Sequence, residues 1–482
     1  MGVMSENVND TATTEAAVAI PTKQFFVSML TRDITLADAI LDLLDNCLDG
    51  ALRLANGGDV DYSRHFVRIT LSKDSFEIED NCGGIPRDVA KNYAFKMGRE
   101  TDDHRDTESE TIGMYGVGMK RAIFKMGRSA KVNTRHLEDA FEVPITSDWL
   151  DDKDWKPLPI LDMVGNDRLS EPGTKVSVTT LYPGVSRHFT NDGFLNELRT
   201  SIAEHFTLFL QRGLRVEVNT IEVEPVHVEL LVSKGTEGPA PFVFQKTIDD
   251  VVVSIVVGLN TGRGLASDED DGPDFERDRS VATAGWTVFC NDRAVIVGDK
   301  SRLTGWGDGI PLYHYQFSIL TGIVEFRSKH AEKLPVTTTK RALDTSSDVW
   351  LQALVKMKEG MRIWISYTNN WKNHPRSDQT RFWKDTTPMP LRGTIDAVAE
   401  RAAAKRSDGH IEYNPQKQKV IPVPETQKPS SRRIVFSRPI EEIRVVSKAL
   451  FDSPDEAPGI IGDKCFELAL RDVVAVEEGG NE

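Results

Sequence analysis

Cysteine is scarce in this chain of 482 residues, with only Cys47, Cys82, Cys290 and Cys465. They stand far apart with no paired spacing. That pattern fits neither a zinc site nor a disulfide framework, and it makes a reducing cytoplasm the expected home. Long apolar runs are missing too: no stretch approaches the ~20 residues that a membrane span needs, so no membrane partner is expected. No basic segment followed by an apolar core opens the chain, so a secretory signal is not expected. Cations are outnumbered, 59 Lys and Arg against 74 Asp and Glu, for a net charge of −15. This argues against nucleic-acid binding over the whole surface and leaves a local basic patch open. What remains is ordinary globular composition, 39% hydrophobic and 28% charged, at a length that predicts two or three domains.

Thr35 to Leu54 (TLADAILDLLDNCLDGALRL) has no Gly or Pro before Gly50 and reads as one helix with two faces. At roughly 100° per residue, Asp42, Asn46 and Asp49 fall on one narrow stripe, with Ile40, Leu44, Cys47 and Ala51 opposite. Taken alone, such a stripe is most often a solvated face. Three further segments follow it. Ser75 to Glu79 alternates as a strand and ends at Asp80-Asn81-Cys82-Gly83-Gly84-Ile85-Pro86. An Asp at that place can accept a hydrogen bond from an exocyclic amine, while the glycines let backbone approach a flat ring; the same residues also make an ordinary turn. Gly113-Met-Tyr-Gly116-Val117-Gly118-Met119-Lys120 opens a helix, whose free N–H groups and dipole favour phosphate, with Lys120 adding charge. Glu171 to Leu181 is a turn followed by a strand with Thr174 at its start, either a plain turn residue or a partner for a base or its bridging water.

In this order and spacing the four segments resemble the nucleotide site of the GHKL superfamily, which includes the gyrase B subunit, the ninety-kilodalton heat-shock chaperone, sensor histidine kinases and MutL. The resemblance covers roughly Lys23 to Trp371 and is closest to prokaryotic MORC-like or MutL-like members. It implies an α+β chain: a Bergerat-type ATP-binding α/β sandwich, then a second, transducer-like α+β domain. It also implies ATP and Mg²⁺ as ligands, with Asn46 on the metal and Asp42 at the position of the general base. Asp49, Asp80, Gly84, Ile85, Gly113, Gly116, Val117, Gly118, Met119, Lys120 and Thr174 would line the nucleotide. The family carries Glu where Asp42 stands, so the base here is about one methylene short. Cys82 replaces a glycine common in the family. Asn92 to Glu110 corresponds to the lid over nucleotide. Thr337-Thr338-Thr339-Lys340, after Leu334-Pro335, matches the transducer loop whose lysine reaches the γ-phosphate; Lys340 is the expected residue, with Arg341 second.

The expected organisation is a tail at 1–21, an ATP-binding domain at 22–212, a transducer-like domain at 213–375, a basic linker-like segment at 376–440 and a small helical segment at 441–482. Trp286 to Val297 reads as a hairpin around Asn291-Asp292, and Asp348 to Trp371 as an amphipathic helix. Between Arg401 and Ile440 nine Lys and Arg face three Asp and Glu, either a solvated tether or a contact for nucleic-acid phosphates. The expected function is a slowly hydrolysing ATPase that acts as an ATP-gated homodimeric switch, with DNA or a protein as client. A chaperone-like remodelling ATPase and a non-hydrolysing ATP-binding scaffold are the alternatives. A histidine kinase is disfavoured, because none of the ten His sits in a phosphoacceptor helix ahead of the ATPase segments.

Overall fold

The computed structural model describes residues 22–479, except 56–57, 99–109, 114–115, 166–167, 236–237, 261–283, 338–339, 373, 375–382, 384, 402–409 and 425–433. The expected N-terminal tail, most of the expected lid and the acidic run 268–278 lie outside the described residues. Residues 1–424 make one compact unit and 425–482 another.

The first unit opens with helices α1 (Lys23–Arg32) and α2 (Leu36–Leu54). Thr35 starts α2 as N-cap, its hydroxyl accepting from Asp38 N at 3.1 Å. An eight-stranded sheet follows, ordered β5-β4-β3-β6-β2-β1-β7-β8. Its strands are β1 (Phe66–Leu71), β2 (Ser75–Asp80), β3 (Gly127–His136), β4 (Asp139–Ile145), β5 (Leu161–Asp162), β6 (Gly173–Leu181), β7 (Arg215–Val218) and β8 (Ile221–Glu222). Alternate residues of β1 and β2 are buried, because one face carries the helices. Those helices are α2, α3 (Gly118–Met126) and α4 (Asp192–His205). Leu44, Leu48, Ile123, Phe124, Leu198 and Ile202 meet Val67, Ile69, Ile78, Val132 and Val178 in one apolar core.

A second sheet is ordered β13-β12-β14-β11-β10-β16. It comprises β10 (Phe242–Ile248), β11 (Val251–Leu259), β12 (Gly285–Cys290), β13 (Arg293–Asp299), β14 (Leu320–Arg327) and β16 (Ile411–Tyr413). The hairpin expected over Trp286–Val297 is β12–β13, and its turn residues Asn291 and Asp292 both take positive φ, 46° and 65°. Helix α5 (Asp348–Trp371) packs on this sheet, burying Trp350, Met357, Met361 and Trp364 with Val257 and Phe326. A short ribbon pairs β9 (Leu230–Ser233) with β15 (Thr386–Met389). The fold is thus α+β, and among the described residues no helix is long and apolar enough to cross a membrane.

Three elements depart from the sequence expectation. Arg215–Glu222, expected in the second domain, joins the first sheet: β7 pairs with β1 and β8 with β7, and Val216 and Val218 are fully buried there. The helix expected through Gln211 breaks at Phe206 and restarts at Thr207. The expected linker contains β15, β16 and helix α6 (Leu391–Ala399), whose apolar side, Leu391, Ile395 and Val398, is buried. Arg401 is buried as well and donates to Gly238 O at 2.9 Å and Gly235 O at 3.0 Å, so its charge serves the fold. The second unit holds α7 (Ile440–Phe451) and α8 (Pro458–Gly479), with Ser447 Oγ donating to Ser453 O at 2.6 Å in the connection.

Trp286 on β12 lies flat against Gly322 of β14, where an added Cβ would sit 2.5 Å from the indole. Gly322→Ala is expected to lower stability by about 1–3 kcal/mol through overpacking, measured by urea unfolding. A loss within error of zero would mean that the strand is free to move.

Candidate functional site

Helix α2 turns a row of carboxylates away from the core, and each finds a donor from another part of the chain. Asp38 pairs with Arg341 at 2.5 Å. Asp42 pairs with the Arg121 guanidinium. Asp45 receives Arg293 Nε at 3.0 Å on one oxygen and Lys340 Nζ at 2.9 Å on the other. Asp49 accepts from the backbone N–H groups of Ile112 at 2.7 Å and Gly113 at 2.8 Å. Asp42, Asp45 and Asp49 are buried, while Asn46 between them is exposed. Unpaired, these charges would be too costly to bury; paired, they tie the helix to both sheets.

Their environments push the two middle carboxyls apart. Burial raises the Asp42 carboxyl above the ordinary range, against the pull of Lys340 and Arg121. Burial also acts to raise Asp45, but Lys340 and Arg293 outweigh it and hold that carboxyl below the ordinary range. Lys340 is opposed by its own burial, yet Asp45, Asp42 and Asp49 keep its amine raised. His205 lies beside the cluster. Its Nδ1–H donates to Ala294 O at 2.6 Å, which leaves Nε2 to accept from Arg341 at 2.8 Å. Burial first, then the charges of Arg293 and Arg341, pushes this imidazole down to about 3, so it stays neutral.

At the end of β2, Asp80 is buried, and its Oδ1 accepts from Cys82 N at 2.8 Å and Thr174 N at 3.3 Å. Burial pushes this carboxyl up to about 6 against those bonds and one from Cys47. Two glycines let three strands close on this point. A Cβ on Gly173 would lie 1.9 Å from Asp80 O, and one on Gly84, at φ +71°, would lie 2.0 Å from Arg135 O. Thr134 Oγ1 accepts from Ile85 N at 2.7 Å and lies 3.3 Å from Thr174 Oγ1, which ties Ile85 and Thr174 into the same pocket wall.

The mouth of α3 lies against α2. Gly116 takes φ +63°, Val117 is the N-cap with no side-chain capping bond, and a Cβ on Gly118 would stand 3.6 Å from Asp42 Cβ. First-turn N–H groups without a cap are an anion-binding feature. Met119 packs on the core. Lys120 differs from expectation: it is buried, and its ammonium donates to Ala94 O at 2.9 Å and to Gly116 O, shaping the loop instead of facing the mouth. The side chain beside Asp42 is that of the next residue, Arg121, whose buried Nε has no hydrogen-bond partner.

The structure therefore brings Asp42, Asn46, Asp49, Gly113, Val117, Gly118 and Lys340 to one region around α2, with Asp80, Gly84, Ile85 and Thr174 clustered at the ends of β2 and β6. Thr338 and Thr339 lie outside the described residues. Sequence reasoning missed Asp45, Arg121 and Arg293. Asp45 stands about 60° from Asp42 on the helix, off the stripe, and its partners are 248 and 295 positions away. It also missed the grip on the end of the expected lid and the residue after it: Arg327 pairs with Glu110, and Asn291 Nδ2 donates to Thr111 O at 3.1 Å.

Among the described residues no group of three or more His, Cys, Asp and Glu forms a metal site. A hard divalent ion at Asn46 would be held by one amide oxygen together with water and phosphate oxygens, a set that suits Mg²⁺. Residues 34–165 match the family model described as histidine kinase-, DNA gyrase B-, and HSP90-like ATPase. The match spans α2 to β5 and supports a GHKL-type, ATP-binding domain in this part of the chain. No curated protein gives a match to the chain.

Proposed function

We propose that this chain is a slowly hydrolysing GHKL ATPase of MORC-like or MutL-like type, which binds ATP with Mg²⁺ and pairs with a second copy when nucleotide is bound. One observation carries the reading. Lys340, from the loop between β14 and α5, reaches α2 at Asp45, at 2.9 Å, near enough to Asp42 for its charge to pull on that carboxyl. A cation from the second sheet's part of the chain at the phosphate end of a nucleotide site would stabilise charge developing on the transferred phosphoryl.

In this reading Asp80 accepts from the adenine amine through Oδ2, because Oδ1 is taken by two backbone N–H groups. The α3 mouth, with Gly116, Val117 and Gly118, takes the phosphates. Asn46 would hold Mg²⁺, whose charge would offset that of the phosphates. Asp42 orients and deprotonates the attacking water; its raised carboxyl suits a base. A second reading, ATP binding without turnover, is favoured by one contact: Arg121 occupies an oxygen of an already short base. Phosphate release separates the two readings. The client would be DNA or a protein. The basic stretch after Arg401 supports DNA, although Arg401 itself is consumed by the fold.

Asp80→Asn is expected to weaken ATP binding tenfold or more, about 1.4 kcal/mol. Its amide oxygen must keep facing the two N–H groups, which turns the NH₂ towards another donor. Wild-type affinity should fall as pH drops through about 6, where the carboxyl gains its proton. The stability linkage has the opposite sign: a carboxyl raised in the folded state favours folding at low pH, and that contribution is lost as pH rises through about 6. Titration calorimetry from roughly a unit below that value to roughly two units above it would refute the adenine assignment if affinity stayed flat and the variant bound normally.

Asp42→Asn should keep affinity within about threefold and cut phosphate release at least tenfold. Normal turnover in that variant would put the base elsewhere. Light scattering with Mg²⁺ and a non-hydrolysable ATP analogue should show the mass doubling, and Asn46→Ala should abolish the shift. A mass that nucleotide leaves unchanged would sink the gated dimer.

A further inference from the structure

Asp45 holds two cations, Arg293 on one carboxylate oxygen and Lys340 on the other. Arg293 is fixed on several sides. Its Nε donates to Asp45 at 3.0 Å, its NH1 donates to Ala294 O at 2.7 Å, and the guanidinium lies 4.2 Å from the centre of the Phe206 ring. Its side chain is 2% exposed and that of Asp45 is 1% exposed, so neither can swing without emptying the cluster. Lys340 is buried too, its side chain 10% exposed, but it stands on a loop. Its backbone N donates to Thr337 O at 2.9 Å, its φ is +55°, and its ammonium meets Asp45. A long flexible side chain on a loop, with its backbone in the left-handed region, needs an anchor to point one way.

We infer that Asp45 is the positioning residue of this site: fixed by Arg293, it presents the Lys340 ammonium at α2, near Asp42. The inference rests on the reading of Lys340 as the phosphate-directed cation. Binding a triphosphate would then meet a cation already in place, so little of its side-chain freedom is lost at that step. A purely structural Asp45 would tie the two sheets together and have no particular bearing on Lys340.

The experiment compares wild type with Asp45→Asn, Lys340→Ala, the double variant and Arg293→Lys, each checked for folding by circular dichroism. The first readout is acetylation of Lys340 by acetic anhydride, followed by peptide mass spectrometry without nucleotide. Asp45→Asn should speed it at least fivefold and Arg293→Lys at least twofold, with the other lysines unchanged. The second readout is phosphate release against affinity for a non-hydrolysable ATP analogue. Asp45→Asn and Lys340→Ala should each lower kcat at least tenfold with affinity within threefold, and the double variant should be no worse than Lys340→Ala. Unchanged Lys340 labelling in both Asp45→Asn and Arg293→Lys overturns the inference, as do additive losses in the double variant. If Asp45→Asn does not fold, Arg293→Lys alone decides, since it keeps the charge balance. If wild type binds the analogue without releasing phosphate, hydrolysis has failed as a reading, and the labelling still decides the role of Asp45.

Discussion

Burying carboxylates is the constraint from which the architecture of the first unit follows. Helix α2 carries Asp42, Asp45 and Asp49 into positions at most 5% exposed. A buried carboxylate without a partner would cost several kcal/mol, more than a typical helix gains from its own propensity. The helix can therefore exist in this orientation only if the rest of the chain delivers donors to it. Arg121 arrives from α3, Arg293 from the β12–β13 hairpin, Lys340 and Arg341 from the loop before α5, and two backbone N–H groups from Ile112 and Gly113. The two sheets are joined along this face by ion pairs. That explains why 1–424 behaves as one compact unit although the sequence reads as two domains and a linker.

The same arrangement separates the chemistry of neighbouring carboxyls. Asp42 is dominated by burial, which outweighs the pull of Lys340 and Arg121, so its proton is held more tightly than usual. Asp45, one turn on, sits between two cations and is an anion throughout the physiological range. Pairs of acids pushed in opposite directions are a hallmark of sites in which one group handles a proton and the other holds a structure. On the proposed reading Asp42 has the first role and Asp45 the second.

Much of this was legible in the sequence, and the limits are physical. Apolar periodicity in Thr35–Leu54 and strict alternation in Ser75–Glu79 are local properties, so the helix, the strand and the site segments at their ends were within reach. So was the Asn291-Asp292 turn, because two residues that tolerate positive φ between two apolar runs have few other uses. The small strands β15 and β16 were not. Each is only three or four residues long, in a stretch with many prolines and charges, and they exist because β9 and β10 offer open edges. The direction taken by Lys120 was also hidden. Lys120 and Arg121 are adjacent cations at a helix mouth, and only the packed structure decides that the first turns back onto loop carbonyls while the second meets Asp42. Asp45 illustrates the general limit: its chemistry comes from partners that no local pattern links to it.

Charge balance gives the cluster a further property. Asp38, Asp42, Asp45 and Asp49 stand against Arg121, Arg293, Lys340 and Arg341, so the group is neutral as it stands. Phosphates entering beside it, as proposed, add negative charge to a place where these four cations already hold carboxylates. Sharing Arg121 or Lys340 with the carboxylates that now hold them, or bringing a divalent ion, would accommodate them. Sharing Lys340 loosens the tie between α2 and the loop that carries it, and sharing Arg121 frees an oxygen of Asp42. Nucleotide binding and the grip between the two sheets would then be linked, and by reciprocity whatever tightens that grip must change nucleotide affinity by the same factor. On the proposed reading, dimer formation or a bound client would need no contact with the nucleotide to alter its affinity; a small shift of the Lys340 loop relative to α2 would be sufficient.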